Sequence, residues 1–455
     1  MPGSYLIKPV LDGSYKEISH GNGIYLYDSE GKAYIDGSSG AVTCSIGHGC
    51  KEVIEAMNEQ AGKISFVYRS QFTNQPAEEL ADKLAAMAPE DLNWSFFVNS
   101  GSEAVETAVK IALQYWQEKG QGRKTHIISR WMSYHGITIG ALSLSGHTER
   151  RRRFFSHLES SPAVSPPYCY RCPYQLSHPS CGLKCAEELQ TAVDRTGKEH
   201  VAAFIAEPVI GAAGGAISPP EGYYQRIKEI CNENAILFIA DEVMTGAGRT
   251  GKAFAMEHWQ TVPDISILGK GLSAGYSPIA SVIVSDDILC TIKKGSNLIM
   301  SGHTYSANPQ SAAAALAVLK VIEKENLIQH AEKIGILLMK KLQNLKEEFS
   351  MIGDVRGKGL LLGIEFVANS EISAKPFPKD YNITSLITRL AQDLGLLLYP
   401  SSAGIDGREG DAVLLAPPLN ITEVEVNKLV SILHQTLKKA EEMLTVMGRG
   451  GPQHG

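Results

Sequence analysis

The pattern that most constrains the fold of this chain lies between about residues 60 and 300, where helix-like runs alternate with short, largely apolar runs. The helix-like runs include PAEELADKLAAMAP at 76–89 and SEAVETAVKIALQYWQ at 102–117. The apolar runs include HIIS, VAAFIAEPV, ILFIADEV, PDISIL and PIASVIVS. Strands that are apolar on both faces and separated by helices are typical of a parallel sheet buried on both sides. The sequence therefore predicts an α/β fold with a mostly parallel sheet covered by helices.

The rest of the chain predicts a smaller α+β domain built from both termini. Residues 23–36, GIYLYDSEGKAYID, alternate apolar and polar positions around a turn and predict a hairpin. After Asn308 and Pro309, a helical stretch to about 349 precedes three strand-like segments and a closing amphipathic helix. The predicted parts are 1–60 (N-terminal segment of the small domain), 61–310 (large domain), 311–448 (C-terminal small domain) and 449–455 (disordered tail).

The charge balance argues against two classes of partner. A formal net charge of −6 disfavours nucleic-acid binding and gives no sign of a membrane-surface contact. The first residues, MPGSYLIKPVLDGSY, lack the order of a secretory signal, and no run of about eighteen apolar residues predicts a membrane span. We therefore expect a cytoplasmic location, where cysteines are mostly reduced.

A further strand-like run, NWSFFVN at 93–99, is followed by polar residues at the start of a helix. Ser100 and Glu103 fit a capping box, which is a purely structural role. Gly101 lies between Ser100 and Ser102 and removes side-chain bulk from a helix N-terminus, where free N–H groups favour a phosphate. The residues leave both interpretations open.

Three further strand ends carry charged residues. Glu207 ends one buried strand, and Asp241 and Glu242 end another, so each carboxylate needs a cationic or hydrogen-bonding partner. Lys270 follows a fourth strand between two glycines. Such a triplet by itself is typical of a surface turn. In open parallel sheets, however, ligands gather outside the carboxyl ends of the strands, which would bring these side chains together.

Two nucleotide-binding motifs match only superficially. GAGRTG at 246–251 fits the dinucleotide fingerprint, but it is not in the first βα unit, and KAFAMEHW after it does not open an amphipathic helix. Extended to GAGRTGKA, the segment approaches a P-loop, yet Ala253 stands where a Ser or Thr must bind magnesium. A nucleotide enzyme is therefore disfavoured.

Taken together, the motifs resemble the class III pyridoxal-phosphate-dependent aminotransferases, the ω-aminotransferase branch of fold type I. The matching segments are NSGSEAVETAVKIA, WMSYHGITIGALSLSG, AEPVIGAAGG, ADEVMTGAGRTGKAFAMEHW, DISILGKGLSAGYSPIA and SGHTYSANPQSAAAALAVL. They occur in the order and spacing of that family and cover roughly residues 20 to 445. The resemblance implies fold type I, a pyridoxal 5′-phosphate cofactor and transfer of an amino group.

The resemblance also implies roles for individual residues. Lys270 would bond covalently to the cofactor aldehyde and, once freed, move a proton, and Asp241 would pair with the pyridine nitrogen. Thr304 would reach the phosphate from a neighbouring subunit, which implies a homodimer with its active site at the interface. Glu242 is expected near the ring hydroxyl, and Glu207 is expected to orient substrate or a mobile arginine without transferring a proton. The remaining expected cofactor contacts are Ser100, Gly101, Ser102, Tyr134, His135 and Val243.

The substrate side is less defined. Arg408 matches a mobile arginine that holds a keto-acid carboxylate, and Tyr68 is a further pocket candidate beside Phe66 and Arg69. Val42 stands where several amine-accepting relatives carry a tryptophan. The expected donors are ω-amino acids such as β-alanine or γ-aminobutyrate, taurine and primary amines, with pyruvate as acceptor. Alternatives are a diaminopelargonate-type aminotransferase, a decarboxylase or aminomutase on the same fold, and a binding protein without turnover.

Four cysteines are clustered outside these motifs. Cys169, Cys172, Cys181 and Cys185 have the spacing C-x₂-C-x₈-C-x₃-C within seventeen residues. Such spacing fits a tetrahedral zinc site, free thiols in a loop, or oxidised pairs. The expected catalysis requires no metal, so none is assigned to the active site.

Overall fold

The structure is a computed structural model that describes residues 5–368, 375–404 and 409–449. An N-terminal antiparallel sheet contains β1 (Ile18–Asn22), β2 (Tyr25–Asp28) and β3 (Ala33–Ile35). Strands β2 and β3 form the predicted hairpin, in which Asp28 Oδ1 accepts hydrogen bonds from the N–H groups of Glu30 and Lys32. The carboxylate therefore stabilises the turn that the sequence predicts at this position.

A seven-stranded central sheet confirms the predicted α/β fold. Its strands are β4 (Leu92–Val98), β5 (His126–Arg130), β6 (Ala163–Val164), β7 (Val201–Ala206), β8 (Leu237–Asp241), β9 (Ile265–Leu268) and β10 (Ala280–Ser285). The spatial order is β4-β10-β9-β8-β7-β5-β6. Strand β10 is antiparallel to both neighbours, and the other pairings, from β9 to β6, are parallel. Every residue of β7 to β10 is buried, as expected for a sheet covered on both faces.

A four-stranded antiparallel sheet lies near the C-terminus. Its strands are β11 (Ile352–Lys358), β12 (Leu361–Phe366), β13 (Tyr399–Ser402) and β14 (Asp411–Leu415), in the order β11-β12-β14-β13. The N-terminal segment joins this part of the chain, because the Ile35 N–H donates to Gly395 O and the Leu397 N–H donates to Ile35 O. These bonds agree with a small domain that uses both termini. The exact domain boundaries stay a prediction.

Helices cover both the central sheet and the C-terminal sheet. Within the described residues they are α1 (Ser39–Val42), α2 (Lys51–Lys63), α3 (Gln75–Met87), α4 (Gly101–Glu118), α5 (Ile139–Leu144), α6 (Thr148–Arg152), α7 (Lys184–Thr196), α8 (Tyr223–Glu233), α9 (Asp286–Lys294), α10 (Pro309–Lys324), α11 (Leu327–Glu348), α12 (Ile383–Asp393) and α13 (Glu423–Arg449). In the described parts of the chain, no helix has the length and apolar character that a membrane crossing requires.

The structure divides one predicted helix in two and has no α-helix directly after the GAGRTG segment. The stretch predicted from Asn308 to about 349 is two helices, α10 and α11, because Asn326 adopts a left-handed φ of 52° between them. As predicted, the residues after the GAGRTG segment form no α-helix, and Ala255–Trp259 is a 3-10 turn. The predicted disordered tail, 449–455, lies outside the described residues except for Arg449.

Candidate active site

A cavity of about 410 Å³ lies at the carboxyl ends of the central strands, and we call it the strand-end cavity. Each contributing loop follows a different strand. The lining residues include Asn99, Ser100, Gly101 and Ser102 after β4; Tyr134, His135 and Gly136 after β5; Glu207 after β7; Asp241 at the end of β8 and Val243 after it; and Lys270 after β9. The sheet therefore brings together the polar strand ends that the sequence predicted as one site.

Lys270 provides the only lysine amine among the residues that line this cavity. It begins a 3-10 turn directly after β9, and its backbone has a φ of 41°, in the left-handed region that non-glycine residues rarely occupy. Burial lowers the pKa of Lys270 to about 8, although the carboxylates of Glu207 and Asp241 raise it in part. A lowered pKa leaves a larger fraction of neutral, nucleophilic amine at neutral pH.

Two glycines allow Val243 to reach the cavity wall. A Cβ added to Gly101 would lie 3.1 Å from Val243 Cγ1, and one added to Gly269 would lie 3.2 Å from the same atom. By contrast, a Cβ on Gly271 would make ordinary contacts, the nearest at 3.5 Å to Ala247. Of the two glycines beside Lys270, Gly269 is therefore the one that the packing of Val243 requires.

Asp241 is held at the centre of the cavity wall by two hydrogen bonds. Its Oδ2 is 2.7 Å from His135 Nδ1, and its Oδ1 accepts the Val243 N–H at 3.1 Å. Because a carboxylate only accepts, His135 Nδ1 carries the shared proton. His135 Nε2 is buried and has no hydrogen-bond partner within the described residues. These contacts fix the position of the Asp241 carboxyl group beside the cavity.

The Glu207 side chain stabilises the loop that follows β5 through a hydrogen bond. Its Oε1 accepts the Tyr134 N–H at 2.9 Å, and its Oε2 accepts the Gly211 N–H at 3.1 Å. Burial raises the pKa of this carboxyl group. These bonds give Glu207 a positioning role for Tyr134, in addition to its place in the cavity lining.

The start of α4 forms the other end of the cavity. Ser100 Oγ accepts the Glu103 N–H at 3.2 Å, which is half of the predicted capping box. In a full capping box the Glu103 side chain would accept the N–H of Ser100. Here Glu103 Oε2 instead accepts the N–H of Asn99 at 2.8 Å. Ser102 Oγ accepts the Ile137 N–H at 3.0 Å. The first N–H groups of a helix lack partners within the helix, so this cap and an anion site are compatible.

Arg150 is a cation of the site that sequence reasoning missed. The segment 150–153 reads as a solvated helix turn or loop, and it does lie in and just after α6. The Arg150 guanidinium, however, lies 4.5 Å from the centre of the Tyr134 ring. It is also close enough for its charge to lower the pKa of Lys270. A run of four arginines gives no signal as to which one lies against an aromatic ring of the site.

Glu242 does not line the strand-end cavity, although the sequence-based expectation placed it near the ring hydroxyl of the cofactor. Its carboxylate oxygens accept hydrogen bonds from Thr245 Oγ1 and from the N–H groups of Ala255 and Met256, at 2.7–2.9 Å. The side chain is buried among these groups and does not line the cavity. The expected contact with the ring hydroxyl is therefore wrong, and Glu242 instead holds the 3-10 turn at Ala255–Trp259.

The predicted substrate residues are less well placed. Val42 is 2 % exposed and packs in the hydrophobic core, whereas its neighbour Thr43 lines the cavity. Tyr68 and Thr304 are exposed and do not line this subunit's cavity. Arg408 lies outside the described residues.

Nine lining residues were not predicted, namely Thr43, Asn99, Gly136, Met244, Ser273, Gly275, Ser277, Pro278 and Ile279. Most of them lie within segments quoted for the family resemblance. No local pattern distinguishes them from their neighbours, because their contribution depends on how the loops fold back over the sheet.

The lining residues fit pyridoxal 5′-phosphate. A phosphate would suit the N-terminus of α4 with Ser100 and Ser102, and a protonated ring nitrogen would suit Asp241. The Lys270 amine lies in the same cavity, and glycines at 101 and 269 admit the Val243 side chain as one wall. The buried, unpaired His135 Nε2 adds a further polar atom for a bound group.

Comparison with known proteins agrees with this geometry. The family described as aminotransferase class-III matches residues 12–437. The "uncharacterized aminotransferase YodT" of Bacillus subtilis is 56% identical over 441 residues, which are 97% of this chain and 99% of that protein.

Two relatives with assigned substrates are about equally similar. The adenosylmethionine-8-amino-7-oxononanoate aminotransferase of Methanocaldococcus jannaschii is 35% identical and covers 93% of each chain. The putrescine–pyruvate aminotransferase of Pseudomonas aeruginosa is 33% identical and covers 92% of this chain and 90% of that protein.

A solved structure, the ω-transaminase of Pseudomonas jessenii in complex with PMP, superposes with a TM-score of 0.89 at 34% identity. The superposition covers 96% of this chain and 94% of that one.

Proposed function

The chain belongs to the class III aminotransferases, enzymes that use pyridoxal 5′-phosphate, and from this premise we propose its reaction. It transfers an amino group from an ω-amino acid, taurine or a primary amine to a keto acid such as pyruvate. The observation that carries the proposal is the meeting of the Lys270 amine, the Asp241 carboxylate and the α4 N-terminus in one cavity.

Different residues of the chain would hold different parts of the cofactor. Lys270 would hold the aldehyde carbon covalently, Asp241 would keep the ring nitrogen protonated, and the start of α4 would hold the phosphate. Tyr134 and Val243 would lie against the two faces of the ring. When bound, pyridoxal 5′-phosphate supplies an aldehyde that takes up the amino group and a ring that withdraws electrons from the donor carbon.

Lys270 also serves as the proton carrier of the site. With a pKa near 8, its amine can accept a proton from the amine-bearing carbon of the donor and return it later. Asp241 is held in position by its hydrogen bonds with His135 Nδ1 and the Val243 N–H. Glu207 fixes the backbone of Tyr134 and thereby the aromatic wall.

The acceptor carboxylate requires a cation, and two arginines are candidates. Arg150 lies over the ring of Tyr134, which lines the cavity, and a guanidinium fork suits a carboxylate. Arg408, proposed from the sequence, would provide a second and movable contact. An amine donor without a carboxylate would leave both arginines solvated, so one pocket can serve both half-reactions.

We propose that the enzyme works as a homodimer. Thr304 is exposed, and the exposed apolar side chains of Phe66, Met300 and Tyr305 lie on the neighbouring segments. The rings of Phe66 and Tyr305 contact edge to face, with centroids 6.1 Å apart. Contiguous exposed apolar groups support an interface, which would bring Thr304 to the partner's phosphate site.

A donor panel tests the reaction. Purified enzyme loaded with cofactor is incubated with pyruvate and one of β-alanine, γ-aminobutyrate, taurine, putrescine or 1-phenylethylamine, and alanine is quantified. S-adenosylmethionine with 8-amino-7-oxononanoate tests the diaminopelargonate alternative. Stoichiometric alanine from one of the amines supports the proposal. Decarboxylation of an amino-acid donor, or isomerisation of any donor, without consumption of pyruvate would contradict the proposed transamination.

Peptide mapping tests the assigned lysine. Borohydride reduction of the loaded enzyme, followed by digestion and mass spectrometry, should place a pyridoxyl group on the peptide that contains Lys270. The Lys270→Ala variant should carry none and should lose at least about 10⁴-fold in turnover, the upper range for a positioned base. An adduct on another lysine of the wild-type enzyme would overturn the assignment.

A further inference from the structure

Four thiols outside the strand-end cavity line a second, much smaller cavity. Cys169, Cys172, Cys181 and Cys185 all belong to the connection between β6 and α7, and all four are free thiols. Together they line a cavity of about 20 Å³. This volume is close to that of a single water or ion, and it is too small for an organic ligand.

The four thiols lie at or near the protein surface, where an ion can reach them from solvent. Cys169 is exposed, and Cys172, Cys181 and Cys185 are partly buried. All four line the same small cavity, so a single ion placed in it would lie beside all four side chains. Binding of a divalent cation deprotonates its cysteine ligands, and the charge of the cation balances that of the thiolates.

The connection that carries these thiols also anchors the C-terminal sheet. Tyr168 and Arg171, which lie beside Cys169 and Cys172, donate hydrogen bonds to the carboxylate of Glu365 on β12. Arg356 on β11 donates to the same carboxylate at 2.7 Å. Glu365 is fully buried, so this cluster depends on exact placement of its partners.

Regular secondary structure does not hold the backbone of Tyr168 and Arg171 in place. From residue 165 to residue 183 the connection contains neither strand nor helix, so hydrogen-bond ladders do not fix it. A buried ion-pair cluster attached to irregular backbone needs another source of rigidity. Structural zinc sites supply it in loops of this kind, because four protein ligands fix four points of the chain at once.

We propose that Cys169, Cys172, Cys181 and Cys185 bind one structural Zn²⁺ as thiolates. Each thiol releases its proton to solvent on binding, and the resulting site has no open position for catalysis. A Zn–S distance of about 2.3 Å places tetrahedral sulfurs about 3.8 Å apart. No three of these sulfurs lie within 4.8 Å of one another in the structure, so the loop closes around the ion on binding.

One other group of ligand atoms in the described residues is closer together but less suitable. Donor atoms of Asp36, Cys44 and His48 lie within 4.8 Å of one another. Asp36 already accepts the Gly40 N–H at 2.9 Å and contacts His48 Nε2 at 3.2 Å. The guanidinium of Arg249 is near enough to interact with both Asp36 and Cys44, and it would repel a metal ion.

Metal analysis of the full chain, expressed without a histidine tag, tests the proposal. Inductively coupled plasma mass spectrometry should find one zinc per chain, independent of bound pyridoxal phosphate. The variant Cys172→Ser/Cys181→Ser should lose the zinc. The matched control Cys290→Ser, which changes an exposed thiol outside the cluster, should keep it. Zinc far below one per chain in the wild-type enzyme would overturn the proposal.

If the double variant does not fold, cobalt binding to the wild-type enzyme tests the zinc site instead. After removal of metal with a chelator, addition of Co²⁺ alone should give the visible bands of a tetrahedral thiolate site, with four thiols protected from a disulfide reagent. Four freely reacting thiols, or a mass lower by two hydrogens for each disulfide, would overturn the proposal. The absorbance of the lysine-bound cofactor reports separately on the proposed transaminase function.

Discussion

At the scale of single residues, Lys270 shows how position changes chemistry. Its sequence context, a lysine between glycines, is typical of a solvated turn. In the structure it follows a buried strand, adopts a φ of 41° and has a pKa lowered by burial. Backbone strain of this kind persists where surrounding packing holds it, and it is concentrated at functional sites.

The lowered pKa of Lys270 predicts the pH dependence of cofactor capture. The neutral amine is the nucleophile, so its fraction rises as pH increases and levels off above about 8, whereas an ordinary lysine continues to gain until about 10.5. Stopped-flow absorbance of apoenzyme mixed with pyridoxal phosphate should therefore give a rate constant that reaches a plateau above about pH 8. A rate that still rises about tenfold per pH unit between pH 8 and 10 would contradict the assignment.

Replacement of Asp241 by asparagine should separate charge from geometry. The amide oxygen can still accept the hydrogen bond from His135, but the negative charge is lost. We expect kcat/KM to fall by about 10²–10³-fold, the usual cost of removing one oriented electrostatic partner. Asp194→Asn, an exposed carboxylate on α7, serves as the control. Unchanged kcat/KM in Asp241→Asn at full cofactor occupancy would argue against its role.

Arg150 should distinguish the two half-reactions. We expect Arg150→Ala to raise the KM for pyruvate by about 10- to 100-fold, the value of one hydrogen bond to a charged group. The KM for putrescine, which has no carboxylate, should change little. Arg153→Ala, a neighbouring exposed arginine, is the control. Equal effects on both substrates would indicate a structural role instead.

At the scale of elements, the site depends on where five strands end. Strands β4, β5, β7, β8 and β9 direct their carboxyl ends to one edge of the sheet, and the loops after them carry the lining residues. The start of α4 is coupled to the loop after β8, because Gly101 packs against Val243. The phosphate end of the cavity and its ring wall are therefore one packed unit.

Gly101→Ala should disturb that unit. The added methyl group would lie 3.1 Å from Val243 Cγ1, so the Val243 side chain, which lines the cavity, must shift. Overpacking of this kind costs about 1–3 kcal/mol, and we expect about tenfold weaker binding of pyridoxal phosphate in equilibrium titrations.

Two further variants test the mechanism of this effect. Gly101→Ala/Val243→Ala should recover most of the lost affinity, because it removes the clash. Gly122→Ala, whose added Cβ meets only Gln117 Cγ at 3.8 Å, should bind the cofactor normally. Failure of the double variant to recover would place the cause elsewhere.

At the scale of the whole molecule, the strand-end cavity is built from distant segments of one chain and lacks the residue expected from a partner. Thr43 reaches it from the N-terminal region, while the exposed Thr304 does not line it. The apolar side chains exposed near Thr304 are costly in water unless another surface covers them. Assembly and cofactor binding should therefore be linked.

Met300→Asp tests this link. Met300 is 73% exposed in the single chain, so the substitution should spare the fold while placing a charge in the proposed interface. We expect analytical ultracentrifugation to show a shift from dimer to monomer, with weaker pyridoxal-phosphate binding. Val424→Asp, on α13 and 77% exposed, is the control and should remain dimeric. A wild-type monomer with full cofactor affinity would contradict the proposal.

The sequence alone determined the elements and their polarity. Apolar runs such as those of β7 and β8 predict buried parallel strands, because only a sheet covered on both faces accommodates them. Glu207, Asp241 and Lys270 lie at or just after the ends of β7, β8 and β9, and they could then be assigned to one edge of the sheet. The family motifs added the cofactor and its chemistry.

Only the tertiary structure decided which neighbours share the cavity. In the structure Glu242 binds the N–H of Ala255 and does not line the cavity. Thr43 lines the cavity, whereas Val42 does not, and Arg150 lies over the ring of Tyr134. The tertiary structure also lowered the pKa of Lys270. Local pattern follows the repeat of a strand or helix, whereas side-chain direction in a loop and the loss of water around a charge depend on packing between segments far apart in sequence.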